Sequence, residues 1–108
     1  MTLERTLFIA TEGEPVPIPV RIEVPFFDRN AWVCKFTIGW PEGEVKHHGM
    51  GFDAVQAVNL AFHTIAIHLY ASEHHRAGHM YFDEPGRGYG FPLPAGSRNL
   101  AIGDDKDL

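Results

Sequence analysis

The sequence predicts an α+β domain: a four-stranded antiparallel β-meander packed on one long α-helix, followed by a short last strand or extended segment. Three observations carry this. Stretches before Asp53 alternate apolar and polar residues and are separated by short runs rich in Gly, Pro, Asp and Glu, the pattern of strands and tight turns. From Asp53 towards Gly78, apolar residues instead recur at three- and four-residue steps, the period of a helix. Four consecutive strands with short turns pair most simply as a meander, and one face of such a sheet then covers the helix stripe.

The first strand is expected from about Glu4 to Thr11, with Leu7 and Ile9 alternating with Thr6 and Phe8. Glu12-Gly13-Glu14-Pro15 is turn chemistry. In the second strand Val16, Ile18, Val20, Ile22, Val24 and Phe26 share one face. Pro17, Pro19 and Pro25 share the opposite parity, so the missing N–H donors lie along one edge and this strand is expected at the edge of the sheet. After the turn Asp28-Arg29-Asn30, the third strand runs from Ala31 to Trp40, placing Trp32, Cys34, Phe36, Ile38 and Trp40 on one face. Cys34 is therefore expected as a small core hydrophobe. The fourth strand, Val45 to Phe52, carries Gly49 and Gly51, which mark a bulge or a close approach of the helix.

Asp53 and Gln56 form the structural cap of the helix. Asp53 accepts from first-turn N–H groups, and Gln56 is spaced to reach back to the N–H of Asp53. Val58, Ala61, Phe62, Ile65 and Leu69 make the core stripe, with Leu60, Ile67 and Tyr70 outside it. Gly78 is the expected left-handed residue just past the helix end. A Gly/Pro-rich loop from Glu84 to Pro94 follows, and Ala95 to Leu108 has few large apolar residues. The expected organisation is one α+β domain over residues 1–94 and a loosely ordered acidic tail over 95–108.

Composition narrows the function classes. A net charge of −5 with no Lys/Arg cluster argues against nucleic-acid binding. The single cysteine suits a reducing compartment, and the N-terminus Met-Thr-Leu-Glu-Arg lacks a signal-peptide pattern, so a cytoplasmic protein is expected. Asn59, His63, Thr64 and His68 interrupt the apolar helix, which excludes it as a membrane span.

A strand leading into Gly51-x-Asp53-x-x-Gln56-Ala57, then an apolar helix, then Gly90-Phe91-Pro92-Leu93-Pro94, resembles a group of small bacterial proteins classed as a domain of unknown function. An aromatic third strand, here Trp32 to Trp40, belongs to the same resemblance, which covers roughly residues 5–94. It implies a bacterial source and the same sheet-plus-helix fold, and it implies no activity.

No catalytic motif stands out. There is no Gly-x-Ser-x-Gly elbow, and Gly86-Arg87-Gly88-Tyr89-Gly90 lacks both the strand-to-helix context and the Gly-Lys-Ser/Thr ending of a phosphate loop. If the loop region binds a ligand or partner, Arg87, Tyr89, Tyr81 and Tyr70 are the anchors expected from residue type. Seven histidines raise the question of a divalent metal, and His74, His75 and His79 are the set that could gather at the helix C-terminus. Their bland alternative is solvated histidines complementing the helix dipole. No cofactor is otherwise expected. Leu60, Ile67 and Tyr70 leave more apolar helix surface than one sheet covers, which predicts a homodimer. The favoured reading is a non-enzymatic module that self-associates or docks an unidentified protein. The alternative is a small metal- or ligand-binding enzyme using the histidines and the Gly-rich loop.

Overall fold

The computed structural model describes residues 2–108. Its strands are β1 (Thr2–Ile9), β2 (Val16–Glu23), β3 (Phe26–Asp28), β4 (Ala31–Trp40), β5 (Gly43–Gly51) and β6 (Met80–Tyr81), and its helices are α1 (Ala54–Tyr70) and the one-turn α2 (Glu73–Arg76). All strand pairs are antiparallel. Across the sheet the order is β6–β1–β2–β4–β5, with β3 beside β2 on the same edge of β4. The meander is therefore present in outline, but the sheet has six strands.

Two differences from the expected strands trace to proline. The second strand breaks at Val24-Pro25 into β2 and β3, because Pro25 has no N–H and a fixed φ. The buried face consequently ends at Ile22, and Val24 is 54% exposed. Nor is β2 an edge strand: it lies between β1 and β4. Its pairing with β4 covers only Val20–Ile22 and stops one residue after Pro19, so the proline-bearing end leaves that side unpaired, as its missing donors require. The Pro19 ring instead lies against Gly39, where a Cβ would sit 2.9 Å from Pro19 Cγ.

The core lies between sheet and helix. Leu7, Ile18, Val20, Cys34, Phe36 and Ile38 from the sheet meet Ala57, Ala61, Ile65, Ala66 and Leu69 of α1. The helix rests over β5 and β4. Small residues permit the contact: a Cβ on Gly49 would lie 2.3 Å from the Ala61 nitrogen, and one on Gly51 would lie 2.7 Å from the Ala57 nitrogen. Cys34 is buried within this layer, its Sγ 3.4 Å from the Glu23 carbonyl oxygen, and burial pushes its thiol pKa up.

The helix starts as expected, with one change of partner. The Gln56 N–H donates to Asp53 Oδ1 at 2.8 Å, while Gln56 Oε1 accepts from the N–H of Phe52 at 2.6 Å, one residue before the cap. The end differs more: α1 stops at Tyr70 rather than near Gly78. Ser72 is responsible. Its hydroxyl donates to the Leu69 carbonyl at 2.7 Å and accepts from the His75 N–H at 3.1 Å, closing one helix and capping the next. Gly78 takes its left-handed φ of 77° after α2 instead.

The C-terminal tail also departs from the loosely ordered segment expected. Two 3-10 stretches, Ala95–Leu100 and Gly103–Asp107, fold back on the domain, with Ala101 and Asp105 buried.

Candidate interaction surface at the β5 edge

The anchors named from the Gly-rich loop are largely consumed by the fold. Asp105 is 1% exposed. Its Oδ2 accepts from the Tyr70 hydroxyl at 2.6 Å and the Tyr89 N–H at 2.8 Å, and its Oδ1 accepts from the Gly90 N–H at 2.8 Å. The Tyr70 oxygen in turn accepts from the Ile102 N–H at 3.1 Å. Tyr70, placed outside the core stripe by periodicity, is thus buried by the tail. Gly88 is required here, since its φ is 97° and a Cβ would lie 2.6 Å from Asp105 Oδ1. Burial, then the hydrogen bond to Asp105, holds the Tyr70 phenol pKa well above its ordinary range. Burial and the Asp105 charge push Tyr89 up to about 12.

Arg87 spans the same segment from outside. Its guanidinium pairs with Asp104 Oδ2 at 2.8 Å and Asp83 Oδ2 at 3.4 Å, and its backbone oxygen accepts from the Asp104 N–H at 2.7 Å. Tyr81 lies in β6, its ring 5.8 Å from that of Phe8. Arg5 was not singled out by sequence. It donates to the Gly90 carbonyl at 2.9 Å and lies over the rings of Phe82 and Phe91. These contacts organise the loop; they do not present a free set of ligand-binding groups.

Of the three histidines near the helix end, two have side-chain partners, and these differ. His74 Nε2 lies 3.0 Å from Glu42 Oε1, with its ring stacked on Trp40 at 5.3 Å. His75 Nδ1 hydrogen-bonds the Tyr89 hydroxyl, and burial lowers the His75 pKa. His79 follows Gly78, and its carbonyl accepts from the Ala10 N–H at 2.8 Å. Among the described residues, no three His, Cys, Asp or Glu side chains come together to hold a metal ion.

What stays open is an edge. β5 pairs with β4 along its whole length, and its other side has no partner strand among the described residues. It is nine residues long and contains no proline. On the opposite side of the sheet the two-residue β6 pairs with β1 only at Phe8 and Ile9, so among the described residues Thr2–Leu7 of β1 also have no partner strand on that side. Beside the free edge runs one side of α1. Leu60 shares a groove with Met50, Gly51 and Phe52, and Ile67 shares one with Val45 and Glu44. Leu60 is 37% exposed and Ile67 45%, two helical turns apart. The helix stripe anticipated as uncovered is real at these two residues.

The model of a protein family described as Domain of unknown function (DUF6968) matches residues 3–93. Neither a comparison with curated proteins nor one with solved structures returns a match. No helix of the described residues is long and apolar enough to cross a membrane.

Proposed function

We propose that this chain, which belongs to the DUF6968 family, is a non-enzymatic self-associating module whose two-fold partner adds to the free edge of β5. The observation that carries this reading is the juxtaposition of a long, proline-free strand edge with exposed apolar residues of the helix beside it. An unpaired edge of this length is a template for another strand, and monomeric proteins usually blunt it with proline, a bulge or a covering loop.

A second copy fits by spacing as well. Because α1 packs on both β5 and β4, a second copy added antiparallel at β5, at about 4.8 Å, would bring its own α1 onto the same face beside the first. Leu60 of one copy would then meet Ile67 of the other, an isologous contact. The register that pairs all nine residues sets Lys46 opposite His48. A shift of two residues would set Lys46 against Lys46, with like charges opposed.

Sedimentation equilibrium of the untagged chain tests the reading. A dimer is expected, converted to a folded monomer by the pair Leu60→Glu and Ile67→Glu. A wild-type chain that stays at 12.1 kDa across concentrations would refute it.

A further inference from the structure

We propose that the side of α1 away from β5 carries a groove for a fatty-acid anion, with the carboxylate on Arg5 and the apolar chain along the helix. The groove is independent of self-association, since Leu60 and Ile67 lie on the opposite flank of the helix's buried stripe. Val55, Val58 and Phe62 recur at steps of three and four and share one side of α1. With Pro25 and Ala54 they line a hollow of about 400 Å³ in which Asn59 is the one polar side chain. A second hollow, of about 280 Å³, adjoins it at Phe62 and is bounded by Leu3, Ile22, Phe91 and Arg5. The chain leaves this surface uncovered: Val55 is 78% exposed and Leu3 55%. From Val55 to Phe62 the helix rises about 10 Å, room for a short alkyl chain.

Arg5 is the charged side chain that faces this groove. In the β1–β2 register Leu3 opposes Ile22, Arg5 opposes Val20 and Glu4 opposes Arg21. Directly opposed residues share a face, and Ile22 and Val20 are buried in the core beneath the helix layer. Arg5 therefore lies on the helix side. Glu4 lies on the outer face, where it pairs with Arg21 at 3.1 Å.

The guanidinium is held in place with one edge free. Its Nη1 donates to the Gly90 carbonyl at 2.9 Å and the Tyr89 carbonyl at 3.2 Å. Its central carbon lies 4.6 Å and 5.0 Å from the ring centres of Phe82 and Phe91. Nε and Nη2 have no acceptor, and no carboxylate pairs with Arg5, among the described residues. No buried side-chain nitrogen or oxygen there lacks a partner, so these two donors open to solvent. A carboxylate matches that edge with two parallel, charge-assisted hydrogen bonds. Arg5 also borders a hollow with Asp83, Asp104 and Asp105, but those carboxylates already have donors. An apolar trough with one placed charge is the usual form of a site for an amphipathic ligand.

Sodium octanoate is the probe, with 1-octanol and octylamine as chain-matched comparisons, each titrated into the isotope-labelled full chain and followed by heteronuclear NMR. The expected result is one saturable site with shifts centred on Leu3, Val55, Val58, Phe62 and Phe91. Octanoate should bind at least about tenfold tighter than 1-octanol, the effect of two charge-assisted hydrogen bonds. Arg5→Gln should bind the two alike while holding 1-octanol as wild type does, which separates loss of the head contact from loss of the fold. Val55→Asp, at an exposed helix position, should weaken both. Equal binding of octanoate and 1-octanol by wild type would overturn the site, as would tighter binding of octylamine, shifts confined to other surfaces, or no saturable binding. A wild-type dimer that Val55→Asp alone makes monomeric would assign the groove to a second copy and overturn the ligand site.

Discussion

Asp105 shows how one side chain ties the C-terminal segment to the helix. Three donors converge on its buried carboxylate, from the Tyr70 hydroxyl and the Tyr89 and Gly90 backbone. Asp105→Ala would strand all three and is expected to cost about 3–5 kcal/mol in denaturant unfolding, with Asp105→Asn falling between it and wild type. A tail that contributed nothing would leave both variants at wild-type stability. Gly49 makes the opposite kind of demand, for absence of a side chain. Gly49→Ala puts a methyl into the backbone of Ala57 and Ala61 and should cost about 3 kcal/mol. Gly13→Ala, with open space around it, serves as the neutral control. His75 gives a pH signature. Burial lowers its folded-state pKa, so the unfolded chain binds the proton more readily. The associated stability is complete above about pH 6.5, the unfolded value, and is lost as pH falls through the lowered one. Thermal melts of His75→Gln should therefore show a shallower loss of stability on acidification than wild type. Parallel curves would mean that His75 titrates alike in both states.

At the scale of elements, strand alternation and the helical period carried most of the fold. The core faces of β2 and β4, the burial of Cys34 and the Asp53 cap could all be read from local pattern, because each follows from neighbours within a few residues. What escaped reading depended on distant contacts. Tyr70 looked surplus because its partner, Asp105, lies 35 residues away in a run of aspartates that resembles a solvated tail. Ser72 was legible in principle as a helix-capping type, yet the apolar periodicity before it and the glycine after it both suggested one longer helix. Of the residues named for ligand or metal binding, Tyr70, Tyr89, Arg87, His74 and His75 have polar side-chain partners within the fold, which residue type alone does not reveal. Two expectations follow at this scale. Asp53→Ala should cost about 1 kcal/mol, the usual worth of an N-cap, measured by chemical unfolding. Deleting residues 95–108 should return the Tyr70 phenol towards its ordinary pKa near 10, followed by ultraviolet titration. An unchanged Tyr70 would show that the tail does not bury it.

At the scale of the whole molecule, the sheet is asymmetric. One side ends in β1, paired by the two-residue β6 only at Phe8 and Ile9, and the other ends in β5, whose open backbone edge runs beside exposed Leu60 and Ile67. The helix side that periodicity left uncovered divides accordingly: the chain's own tail covers Tyr70, and the proposed second copy would cover the rest. Backbone hydrogen exchange along Gly43–Gly51, measured residue by residue at several protein concentrations, tests that assignment most directly. In a lone edge strand, amides alternate between those bonded to β4 and those open to water. Two-fold pairing predicts that the open set becomes protected as concentration rises, and that Leu60→Glu with Ile67→Glu removes this protection. Open amides that exchange rapidly at every concentration would contradict it.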